Sequence, residues 1–134
     1  MPSVINRAVR TLRAIEGVVF DASEDAIVVP AASDEGFAVR LRMVSARNFV
    51  VEYDGWQHTF DRAEDAYDCF EYGLSESCRL KTTLRGDVPV SWQVEKREFG
   101  MWVPGHATRK WRGLGFWRPT RVVYHQNHVF RIET

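Results

Sequence analysis

The sequence is poor in cysteine: Cys69 and Cys78 are the only two among 134 residues. Two cysteines build neither a disulfide framework nor, on their own, a zinc site. They are expected as reduced thiols in or near the core. Long apolar runs are also missing. The longest span only a few residues, far short of the roughly 20 needed for a membrane helix. The opening stretch is interrupted by Arg7, Arg10 and Arg13 and offers no secretory h-region. The closing Arg131-Ile132-Glu133-Thr134 is not a lipidation signal. These absences predict a soluble, cytoplasmic protein. Lysine is scarce, supplying 3 of the 18 bases, but an arginine excess can follow from a G+C-rich coding sequence and is not by itself evidence for nucleic-acid binding. No internal repeat, low-complexity segment or linker divides the chain, so residues 1–134 are expected to form one domain.

The composition is that of a globular protein, with 45% hydrophobic and 27% charged residues. A chain of this length buries roughly two-thirds of its unfolded surface and needs no metal or disulfide for stability. Aromatic residues are abundant, at 13% with five tryptophans, which favours a Trp-rich core or a recognition surface. The formal net charge is zero, but the charges are segregated. Residues 52–76 hold eight acids and one base, whereas residues 77–121 hold ten bases and three acids. Such a field bears on partners and association rather than on fold.

Hydrophobic periodicity supplies the elements. Val4, Ala8, Leu12 and Ile15 share one stripe of a helix over 4–16, with Ser3 at its start and Gly17 after its end. Val18-Val19-Phe20 and Ala26–Val29 are short apolar runs separated by turn residues, the second closed by Pro30. Phe37, Val39, Leu41 and Met43 alternate with polar neighbours, as do Phe49, Val51 and Tyr53. Asp54-Gly55 predicts a hairpin turn, beyond which Trp56, His58 and Phe60 continue one face. Asp61 and Glu64 resemble a capping box for a helix that ends near Gly73, buries Ala63, Ala66, Tyr67, Phe70 and Leu74, and exposes Arg62, Glu64, Asp65, Asp68 and Glu71. Cys78–Arg85 and Val88–Glu95 alternate around a Gly86-Asp87 turn. Phe99–Val103 extends the sheet, Pro104-Gly105 turns, Arg109–Thr120 is irregular, and Arg121–Ile132 is a last strand. The pattern predicts an α+β fold: a mainly antiparallel sheet with two helices packed on one face. In that arrangement Arg40, Arg42, Arg79, Lys81 and Arg85 share the outer face of the sheet.

Few constellations carry chemistry. The segment from Arg109 to Arg121 has five bases, three aromatic residues and no acid. Arg109, Lys110, Arg112, Arg118 and Arg121 suit phosphates, and Trp111 and Trp117 suit stacked bases. The alternative is a loop whose tryptophans enter the core while its arginines meet the acidic helix. Gly113-Leu114-Gly115 lacks the setting of a dinucleotide loop. His125 and His128 would point to opposite faces of a strand unless Asn127 starts a turn, so joint metal ligation is not expected. Cys69 sits among acids, which oppose thiolate formation. No Gly-x-Ser-x-Gly elbow is present, and Glu64, Asp65, Asp68 and Glu71 fit the solvated face of a helix.

No catalytic residue, metal site or cofactor is therefore predicted. The leading expectation is a non-enzymatic interaction module that binds a protein partner or itself, with no membrane association. Single-stranded nucleic-acid binding through residues 109–121 and the basic sheet face is the second. A small-molecule pocket between sheet and helices, lined by Trp56, His58, Trp92 and Tyr124, is the third.

Overall fold

A computed structural model describes residues 3–109 and 119–129. Helix α1 (Val4–Arg13) starts where the Asn6 amide donates to the Ser3 hydroxyl oxygen at 3.2 Å. It buries Val4, Ile5, Ala8 and Leu12. It stops three residues before the expected end, and Gly17, at a φ of +84°, lies in the turn that follows. Strands β1 (Asp21–Ala22), β2 (Ala26–Val29), β3 (Val39–Ser45), β4 (Asn48–Tyr53) and β5 (Trp56–Phe60) form an antiparallel sheet in chain order. The run Val18-Val19-Phe20 stays outside it. Across β3, β4 and β5 the register pairs Leu41 with Val51 and Val51 with His58, and Val39 with Tyr53 and Tyr53 with Trp56. The expected Asp54-Gly55 turn joins β4 to β5. Asp54 adopts a φ of 51° and its carboxylate accepts the Ala38 amide at 2.9 Å.

Helix α2 (Ala63–Gly73) follows. The capping box expected at Asp61 is corrected: Arg62 holds the N-cap position, without a side-chain cap bond. Glu64 and Asp65 instead place negative charge in the first turn, where the helix dipole favours it. Ala63 is exposed, while Ala66, Tyr67, Phe70 and Leu74 are buried. Helix α1 contacts α2, β2 and β3, and α2 contacts β3, β4, β5 and β6. Arg7 joins the helices: its guanidinium lies 4.0 Å from the Tyr67 ring centre and meets Glu64 at 2.6 Å.

Strands β6 (Cys78–Arg85), β7 (Val88–Glu98), β8 (Met101–Arg109) and β9 (Thr120–Gln126) form a second antiparallel sheet, ordered β8-β7-β6-β9. The fold is thus α+β with two antiparallel sheets, and the expectation of one sheet is corrected. β5 and β6 are separated by α2 and do not pair; each sheet completes its own ladder. Arg40 and Arg42 consequently belong to one sheet, and Arg79, Lys81 and Arg85 to the other. Pro104-Gly105 does not turn the chain. β8 runs through both, since Pro104 lies on an edge strand where a missing N–H is tolerated. The reversal comes earlier, at Phe99 and Gly100, both at positive φ. β9 ends at Gln126, because Asn127 turns inward. Its amide donates to the carbonyls of Phe37 and Gly73 at 3.0 Å each, and its carbonyl accepts the Phe37 amide.

The core contains Ile5, Leu12, Ile27, Leu41, Tyr53, Phe70 and Leu80, each at most 2% exposed. At Gly55 a Cβ would stand 2.3 Å from the Trp92 indole, and at Gly73 it would stand 2.2 Å from the Tyr53 ring. Both positions exclude larger residues because an aromatic ring occupies the space.

Candidate functional site

A cleft of about 470 Å³ opens between β5, α2 and the β7–β8 hairpin. Its lining includes Tyr53, Trp56, His58 and Phe60 from β4 and β5, Asp68, Cys69 and Tyr72 from α2, and Val94, Lys96, Gly105 and His106 from the second sheet. Strand alternation explains the aromatic wall. Trp56, His58 and Phe60 are two residues apart and lie on one face, and Tyr53 is the cross-strand neighbour of Trp56. Tyr53 and Trp56 stack at 4.5 Å with planes 20° apart. His58 meets the Phe60 ring edge-on at 4.8 Å and the His106 ring at 5.0 Å.

Side chains close the seam between the sheets. The Trp56 indole N–H donates to the His106 carbonyl at 3.0 Å. The Thr108 hydroxyl oxygen accepts the Gln57 amide at 3.2 Å, and the hydroxyl donates to the Gln57 carbonyl at 3.4 Å. Below, the Tyr53 hydroxyl donates to the Cys69 carbonyl and lies 3.2 Å from its sulfur. The Tyr72 hydroxyl donates to the Ser77 carbonyl at 2.6 Å.

Burial sets the protonation of these groups. Desolvation pushes the Cys69 thiol up to about 11, against a smaller lowering by the Tyr53 hydrogen bond. It pushes the Tyr72 hydroxyl up to about 12, and raises Tyr53 well above its ordinary value. Cys78 rises too, from burial first and then from Cys69. The thiols and phenols are therefore neutral near pH 7. Among the described residues no three His, Cys, Asp or Glu side chains are grouped to hold a metal ion.

Of the four residues expected to line a pocket, the structure brings Trp56 and His58 into this cleft. Trp92 is buried behind Gly55. Tyr124 stands elsewhere, on β9 against Arg79. In the basic aromatic segment, Arg109 ends β8, and Arg121, on β9, lies 3.6 Å from Asp87. Lys110, Trp111, Arg112, Trp117 and Arg118 lie outside the described residues. His125 is half-buried on β9, and the His128 ring lies 3.3 Å from Glu76 beyond the strand end. Sequence reasoning missed His106, Lys96 and Tyr72 as cleft residues. The available signal was the row of rings at 53, 56, 58 and 60; nothing local pairs that row with residues 94–106.

No family model, curated protein or solved structure matches this chain. Among the described residues no helix is long and apolar enough to cross a membrane.

Proposed function

We propose that this protein is a non-enzymatic binding domain whose cleft takes a small, flat, largely apolar molecule. The observation that carries this reading is the aromatic-walled cleft of about 470 Å³, a volume ordinary for small-molecule sites. Its rings hold one another in place, so little ordering remains to oppose binding. His58, His106, Lys96 and Asp68 supply polar contacts that orient a ligand. The neutral Cys69 thiol is bonded to a tyrosine rather than to a base, which speaks against nucleophilic catalysis. In this reading the chain is one domain with both helices over the apolar side of the five-stranded sheet, leaving the cleft open beside α2. The two free cysteines fit a reducing compartment such as the cytoplasm.

Titration with anilinonaphthalene sulfonate, a fluorescent aromatic anion, tests the reading. Blue-shifted emission is expected on binding, and Phe60→Ala or His58→Ala should weaken it about tenfold with an unchanged circular dichroism spectrum. Equal binding by wild type and both variants would contradict the proposal.

A second reading, contact with a protein partner or another copy, is supported by the β7–β8 hairpin. Phe99 is fully exposed there, and Met101 is 70% exposed. Sedimentation at rising concentration should show self-association that Phe99→Asn abolishes if the contact is with itself; a monomer throughout would exclude self-contact through this tip.

A further inference from the structure

The outer face of the second sheet forms a second and separate surface. Directly paired residues of antiparallel strands lie on one face, and the register puts Arg97 beside Trp102, Arg79 beside Glu95, and Lys81 beside Tyr124. The opposite face carries the buried Leu80, Trp92 and Val94. On the outer face the Arg79 guanidinium sits between two rings, 4.5 Å from the centre of Trp102 and 4.0 Å from that of Tyr124. Glu95 accepts from its Nε at 2.7 Å. This sandwich reaches from edge strand β8 to edge strand β9. It neutralises Arg79 and fixes both rings. Lys81 and Arg97 are left without an ion pair among the described residues, although the Arg97 guanidinium also lies over Trp102, 4.9 Å from its ring centre, and Tyr124 remains 47% exposed.

We infer that this face binds single-stranded nucleic acid. The unpaired cations Lys81 and Arg97 match phosphates, and the exposed face of Tyr124 continues the Trp102–Arg79–Tyr124 stack onto a nucleobase. An acidic protein would satisfy the cations but leave the ring without a stacking partner. A duplex keeps its base faces covered. The single strand is the polyanion that offers both chemistries, and this surface is independent of the cleft.

Fluorescence anisotropy with a labelled single strand of about 12 nucleotides, as oligo(U) or oligo(dT), tests the inference. Binding is expected at low salt, with log K falling against log salt at a slope of about −1.4 for two phosphate contacts. Lys81→Glu with Arg97→Glu should weaken it by at least about tenfold. Tyr124→Leu, which keeps the apolar bulk over Arg79, and an abasic strand of the same length should each weaken it about tenfold, while Tyr124→Phe retains it. Circular dichroism and thermal melting confirm that each variant is folded. Absence of binding at low salt, binding unaffected by the charge reversals, equal affinity for the abasic strand, or preference for a duplex would each overturn it.

Discussion

Gly73 stands where a Cβ would meet the Tyr53 ring at 2.2 Å, and that ring is both the floor of the cleft and part of the core. Gly73→Ala is therefore expected to lower the unfolding free energy by roughly 1–3 kcal/mol, the usual cost of overpacking, read from urea denaturation; an unchanged midpoint would show that the ring moves aside freely. From sequence, Gly73 is legible only as a helix end, because the ring that needs the space lies 20 residues earlier. Asn127 is more remote still: it bonds across 90 residues to Phe37 and 54 to Gly73, and no local pattern marks it as buried. Cys69 carries a pH dependence. Its folded value of about 11 exceeds the ordinary 9.0, so burial of the neutral thiol stabilises the fold fully below pH 9, and that contribution is lost as pH rises from 9 to 11. Urea midpoints should fall across that window, and less steeply in Cys69→Ala; identical slopes would refute the assignment.

Among the elements, the β7–β8 hairpin departs furthest from what its residues prefer. Phe99 takes a φ of 52° with its side chain fully exposed, a conformation better suited to Asn or Gly. The fold gains no burial in return. Phe99→Asn should thus raise the melting temperature by a few degrees, corresponding to about 1 kcal/mol; a lower melting temperature would mean that the ring packs in solution. Elements with strict alternation were legible: β3, β4, β6 and β7 fall where period two places them, and Asp54-Gly55 turns as its chemistry dictates. Pro104-Gly105 misled, since an edge strand absorbs both residues. Asp61 misled as well, since it precedes the N-cap residue Arg62.

At the scale of the whole molecule, the division into two sheets was not legible. Alternation reports which side of a strand is buried but not which strand lies next to it, and the break comes where α2 separates β5 from β6. The cleft exists because of that break. One wall comes from residues 53–60 and the other from residues 94–106, held together by Trp56 and Thr108. The ion pairs of Glu64, Glu52 and Glu95 do not join the acidic block to the basic one: Glu64 and Glu52 meet Arg7 and Arg42 from outside both blocks, and Glu95 meets Arg79 within the basic block. Asp65 and Asp68 stay exposed on α2, and the second sheet keeps a basic, ring-bearing outer face. Whether the cleft is a ligand site is decided by mapping anilinonaphthalene sulfonate through amide and indole proton–nitrogen NMR shifts. Binding in the cleft should concentrate the shifts at the Trp56 indole and at His58, Phe60, Cys69, Gly105 and His106. Shifts gathered at Phe99 and Met101, or spread without focus, would contradict it.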